Sequence, residues 1–206
     1  AHHLQTNELA VVELLRGRLT PLADALGQSL APEFAARVAA MQARNLEDVA
    51  ASAWLRLAVG LDAQGHAAYA LQALQRALEC NDENAAVRQR LGELWLRQGE
   101  VEEALVHFSA AARIRPKDAL AHQGWGVCLH RQGRMDEAVG RYREALALDP
   151  AHAELRNNLG AALAEAGQLL EAAGHFREAV RLQPGFADAA RNLAQVEATL
   201  RESQAR

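Results

Sequence analysis

The chain has 206 residues, half of them apolar but only 4% aromatic, with a net charge of −4 and a pI near 6.1. No overall basic field invites nucleic acid, and no apolar run nears the roughly 20 residues of a membrane span. Two cysteines make neither a disulfide scaffold nor a metal cluster.

The abundant Ala and Leu favour helix, because neither loses much side-chain freedom on entering one. The phrase "HRQGRMDEAVGRY" (130–142) returns in variant form at 62–74, 96–108 and 164–176. Its glycines, Gly65, Gly99, Gly133 and Gly167, stand 34 residues apart. A period of that size marks a stacked repeat architecture.

In chain order, residues 1–50 form an N-terminal helical region. It opens on "AHHLQTNELA", without the layout of a signal peptide, and His2 and His3 read as a processed end. Leu9, Ala10, Gly17, Leu22 and Leu26 fit a degenerate unit over 3–31. An extra helix is expected over 32–45, with Pro32 in its first turn. Four full units follow over 51–184, framed as 51–84, 85–118, 119–152 and 153–186. Residues 187–206 add one helix with Ala190, Leu193, Ala194 and Val196 apolar, which reads as a cap over the last apolar face.

Within each unit, positions 4, 7, 8 and 11 share one face of a first helix, and 20, 24 and 27 one face of a second. Position 8 is Ala58, Gly92, Gly126 and Gly160, small enough for close helix approach. Position 20 is always Ala (Ala70, Ala104, Ala138, Ala172), as is position 27 (Ala77, Ala111, Ala145, Ala179). Position 24 is large: Leu74, Phe108, Tyr142 and Phe176. The glycine at position 15 can take the positive φ that stops the first helix. Position 32, Asp82 and then Pro116, Pro150 and Pro184, punctuates the second. Each unit is thus a hairpin of two helices of about 14 residues, roughly 21 Å long at 1.5 Å per residue.

With Leu-Gly at positions 7–8, Gly at 15, Ala at 20, an aromatic at 24, Ala at 27 and Pro at 32, the chain resembles the tetratricopeptide repeat family. The resemblance covers 51–184 and departs most in the first unit, at Ala58 and Asp82. It implies an all-α, right-handed α-solenoid of helical hairpins with terminal capping helices. The first helix of each hairpin would line a concave groove.

No phosphate loop, nucleophile elbow, H-E-x-x-H or C-x-x-C is present. No catalytic residue, cofactor or metal site is therefore expected. Among the eight histidines, His107 and His175 repeat with the fold, while His122 and His130 are eight residues apart on one helix. These, Cys80 and Cys128, and Trp54, Trp95 and Trp125 read as packing residues.

The resemblance places positions 2, 5, 6, 9, 12 and 13 of each first helix on the concave side. They give a basic stretch of Arg56, Arg90, Arg97 and Arg131 and a set of amides, Gln89, Gln123, Asn157, Asn158 and Asn192. A side-chain amide matches both the C=O and the N–H of a peptide unit, and Arg presents a planar fork to carboxylates. Asn158 and Asn192 hold the position of the asparagine ladder in arrays similar to those of O-linked N-acetylglucosamine transferases. The carboxylate clamp of chaperone-binding members is not matched, since Leu55 and Val59 take its positions in the first full unit.

The expectation is a non-catalytic protein–protein interaction scaffold that binds an extended, acidic peptide segment of a partner protein. Its expected compartment is the cytoplasm, with no nucleic acid and no membrane insertion. Two alternatives stand beside it. One is the substrate-recruiting portion of a larger enzyme, since similar arrays precede glycosyltransferase and sulfotransferase domains. The other is homo-oligomeric assembly through the front helices or the outer edge.

Overall fold

The computed structural model describes residues 32–204, with side chains described over 43–203. The expected unit at 3–31 lies outside the described residues. Those described form nine α-helices and no strand. They are α1 (Pro32–Ala63), α2 (Ala67–Cys80), α3 (Ala85–Gln98), α4 (Val101–Ile114), α5 (Ala119–Arg131), α6 (Met135–Leu148), α7 (Ala153–Glu165), α8 (Leu169–Leu182) and α9 (Ala187–Gln204).

The extra helix and the first helix of the first full unit are one element, since α1 runs unbroken for 32 residues. No Gly or Pro interrupts the stretch from 33 to 59, so nothing in it stops a helix once Pro32 has started it. From α2 to α8 every helix is 13 or 14 residues long.

The repeat punctuation acts as its chemistry requires. Gly65, Gly99, Gly133 and Gly167 have φ of 81°, 88°, 75° and 79°. The residue after each glycine donates its N–H to the carbonyl five residues back: His66 to Leu61, Glu100 to Trp95, Arg134 to Leu129 and Gln168 to Leu163, at 2.8–3.0 Å. This is the bond that closes a helix C-terminus around a left-handed residue. Replacing Gly133 with Ala should therefore destabilise the protein by about 1–2 kcal/mol, the cost of a left-handed L-residue. No atom would touch the added Cβ, so a urea titration of this variant reads backbone strain alone. Unchanged stability would contradict the assignment.

The contacts divide the chain into two compact units, one up to Leu91 and one from Gly92. In the first, α2 buries Ala70, Ala73, Leu74 and Ala77 against α1. The middle of α1 also reaches the loop after α2, where Asn81 donates to Asp48 and Arg44 pairs with Glu83 at 3.4 Å.

In the second unit the helices pack in sequence: α4 on α5, α5 on α6, α6 on α7, α7 on α8 and α8 on α9. The leading helices of successive hairpins also meet, α5 with α7 and α7 with α9. The core holds Leu129, Tyr142, Leu155, Leu159, Leu163 and Phe176. The alanines at positions 20 and 27 are fully buried in every unit, as tight helix crossings demand. Position 8 lies against the ring at position 24: a Cβ added to Gly126 would sit 2.7 Å from Tyr142, and one on Gly160 2.8 Å from Phe176. Where position 24 is the slimmer Leu74, position 8 accommodates a buried Ala58.

Position 4 departs from its expected place in the apolar stripe. Position 3 is buried throughout instead, as Ala53, Val87, Ala121, Leu155 and Ala189. Position 4 turns back to the carbonyl at position 32 of the preceding unit. Arg88 Nε donates to the Asp82 carbonyl at 2.9 Å, and His122 Nε2 lies 3.0 Å from the Pro116 carbonyl. Arg156 gives the Pro150 carbonyl two bonds, of 3.1 and 2.7 Å. A carbonyl just past a helix end has no partner within the helix. A polar head supplied from the next helix satisfies it, so this position is filled by polarity and not by hydrophobicity.

Candidate functional site

The nine expected site residues all lie on leading helices. In the first unit, Arg56 on α1 and Arg90 on α3 are exposed. Gln89 on α3 is half-buried, and its Nε2 is buried with no acceptor among the described residues. A buried donor left unmatched costs about 1–3 kcal/mol.

In the second unit, Arg97 at the C-terminal end of α3 is exposed. Arg131, exposed at the end of α5, donates Nη1 to the Leu96 carbonyl at 3.2 Å. That bond brings the basic end of α5 onto the C-terminal end of α3, where a cation is favoured by the helix dipole. Gln123 is half-buried on α5, as are Asn157 and Asn158 on α7. Asn192 on α9 donates Nδ2 to Asn157 Oδ1 at 3.0 Å. The structure therefore joins Asn192 to Asn157, whereas the family resemblance puts Asn158 and Asn192 at the ladder position. The two joined amides retain the NH2 of Asn157 and the carbonyl oxygen of Asn192, a donor and an acceptor side by side.

The charge along this face changes sign. Position 13 is Arg97 on α3 and Arg131 on α5, but Glu165 on α7. Glu165 Oε1 lies 3.1 Å from His130 Nε2.

Two of the tryptophans and one thiol stay within the packing; Trp54 and Cys80 are half-buried. Trp95 and Trp125 lie against the cluster of Ala104, Phe108 and Cys128. Trp125 also carries the Arg141 guanidinium 4.4 Å above its ring. Burial pushes the Cys128 thiol up to about 12, which leaves it protonated and unreactive at neutral pH. His122 is buried, and its Nδ1 is 3.0 Å from Glu144 Oε2 but off the direction a hydrogen bond needs. Among the described residues no three His, Cys, Asp or Glu side chains gather as a metal set would. No described helix is long and apolar enough to cross a membrane.

One histidine has a defined pH consequence. Partial burial holds His175 below its ordinary pKa, with Arg156 and Arg143 adding to the effect and Glu171 opposing it. The unfolded chain thus binds the proton more readily than the folded one. Stability is full above the ordinary histidine pKa of about 6.5 and falls as pH drops through it towards the lowered folded value. Glu171, held low mainly by its hydrogen bond from Arg143, loses its stabilisation only as pH falls through the carboxylate range. Urea midpoints should therefore decline between pH 7.5 and 5.5, with a smaller decline in His175→Gln. An identical decline in the variant would remove His175 as a source.

A family model described as tetratricopeptide repeat matches residues 63–124, and a second, TPR repeat, matches residues 126–167. The chain belongs to the tetratricopeptide repeat family. Its fold class is the all-α solenoid of that family. Among solved tetratricopeptide structures it is similar to YrrB, described as "a TPR protein with an unusual peptide-binding site", at 25% identity and a TM-score of 0.66. That match covers 76% of this chain and 80% of the other. It is also similar to Pseudomonas aeruginosa pilF at 25% identity and a TM-score of 0.68, over 76% and 71% of the two chains. The first tetratricopeptide domain of Spaghetti (RPAP3), bound to the HSP90 peptide SRMEEVD, matches at 21% identity and a TM-score of 0.55, over 56% and 92%. No curated protein matches the chain at a significant level.

Sequence reasoning missed two features. The polar heads at position 4 were detectable in principle, since Arg88, His122 and Arg156 interrupt what should be an apolar position. The pairing of Asn192 with Asn157 had no such signal, because it depends on how α9 settles against α7.

Proposed function

We propose that this chain is a non-catalytic scaffold that binds an extended, acidic segment of a partner protein along its leading-helix face. The observation that carries the reading is the Asn157–Asn192 amide pair, bonded across two hairpins at 3.0 Å with a donor and an acceptor still available. An extended peptide presents a complementary C=O and N–H, and a preformed surface lowers the ordering cost of binding on the scaffold's side. Arg97 and Arg131 provide the positive charge on the same unit. The likeness to YrrB, a protein with a peptide-binding site, supports the same reading.

Panning the full chain against a displayed library of random dodecapeptides tests it. Enrichment of peptides carrying at least two Asp or Glu residues is the expected result. No enrichment, or enrichment of basic peptides, would overturn the proposal.

A further inference from the structure

The junction of α7, α8 and α9 holds a cavity of about 280 Å³. Its apolar lining includes Ala161, Ala164, Phe176 and Val196, and its polar lining is Glu165, Asn192, Gln195 and Thr199. In the two preceding hairpins the side chain at repeat position 12 is larger and packs towards the ring at position 24. At the α3–α4–α5 junction that side chain is Leu96, packed with the cluster around Phe108. At the α5–α6–α7 junction it is His130, whose ring meets Tyr142 edge-on, with centroids 6.4 Å apart at 82°. At the third junction position 12 is Ala164, and the cavity opens beside it.

The cavity therefore arises from one small residue at a position where the neighbouring repeats carry a large one. Its rim belongs to the leading-helix face, since Asn192 is half of the amide pair and Glu165, Gln195 and Thr199 are exposed. Glu165 is the one charged residue of the lining, and it stands where the earlier units carry Arg97 and Arg131.

Building on the proposed function, we infer that this cavity is a side-chain pocket for a large apolar residue of the bound segment, next to a basic residue that faces Glu165. The amide pair would hold the segment's backbone while the side chain fills the space Ala164 leaves. The change from arginine to glutamate at position 13 then sets the direction of the segment. Acidic residues meet the α3–α5 end, and the apolar and basic residues meet the α7–α9 end. Shape and charge together give such a site its selectivity.

The test uses the full chain with labelled methyl groups and N-acetyl-phenylalaninamide as the probe. Saturable shifts at Ala161, Ala164, Val196 and Thr199 are expected. Ala164→Leu and Ala164→His, which restore the residue types found at 96 and 130, should each abolish them without lowering the melting temperature. Two variants guard against one that fails to fold. Absent shifts in the wild type, or shifts that persist in both folded variants, overturn the pocket.

The charge component is read separately. N-acetyl-phenylalanyl-lysinamide should bind at least threefold more tightly than the glutamate analogue, and Glu165→Gln should erase that preference. A preference that survives the substitution overturns the role of Glu165. The dodecapeptide library keeps the two readings apart. Fragment binding with no enriched peptides sinks the scaffold reading and leaves the pocket. Acidic peptides without a fixed apolar position, combined with absent fragment shifts, sink the pocket and leave the scaffold.

Discussion

Phe108→Ala is expected to lower the unfolding free energy by about 3–5 kcal/mol, towards the upper end of that range. The ring is 3% exposed and sits between two glycines that carry no side chain to refill the space. A Cβ at Gly92 would come within 2.6 Å of it, and one at Gly124 closer still. Helices α3 and α5 approach the ring with bare backbone, so the cavity left by truncation could close only if whole helices moved.

The same geometry sets the reverse substitutions. Gly92→Ala gains roughly 1 kcal/mol of helix propensity but overpacks the ring, at a cost of about 1–3 kcal/mol. In a Phe108→Leu background it should be tolerated, because the first full unit carries that combination as Ala58 and Leu74. Urea titrations of the two single variants and the double would give a coupling of about 0.5–3 kcal/mol. Additive effects would show that the ring and the glycine do not constrain each other. Gly124 sharpens the point. Position 6 holds Asn158 and Asn192 in the later helices, yet Gly124→Asn should destabilise, because Phe108 occupies the space its side chain would need.

Reversing Arg97 and Arg131 to Glu together should weaken binding of an acidic peptide selected from the library about 100-fold. Each tenfold loss corresponds to about 1.4 kcal/mol. Both side chains are exposed, so their attraction is screened by salt. The wild-type to variant ratio should therefore shrink between 50 and 300 mM salt, as measured by fluorescence anisotropy. The fold should survive, since the Arg131 bond to the Leu96 carbonyl is made at the surface. An affinity within twofold of wild type would remove the basic face from the proposed function. Exposed charges contribute only about 0–1 kcal/mol to stability, so a purely structural role would not account for a large binding loss.

Much of the fold was legible because the period repeats its packing rules. Positions 20, 24 and 27 predicted Ala70, Leu74 and Ala77 as buried, and equally Ala172, Phe176 and Ala179, since two helices can cross closely only where small residues face a large one. The helix stops were legible for a similar reason: Gly133 and its counterparts are needed where φ turns positive. The break expected between residues 45 and 51 is absent, because a change of repeat frame does not itself unwind a helix. Helical spacing puts position 4 on the apolar face with positions 7, 8 and 11, yet it carries polar residues in the later units. Arg88, His122 and Arg156 show that what the position supplies is a donor to a carbonyl.

The candidate site was legible only as residue types. The sequence alone determined that amides and arginines recur at fixed positions of the leading helices, because most of those positions lie off the apolar stripe. Tertiary structure decided that Asn192 bonds Asn157, that Gly124 yields its place to Phe108, and that a cavity opens beside Ala164, where the preceding units carry Leu96 and His130. The physical reason is that periodicity reports which face of a helix is buried. Which side chains meet across a junction depends on the volumes contributed by two or three helices at once, and no single repeat records their sum.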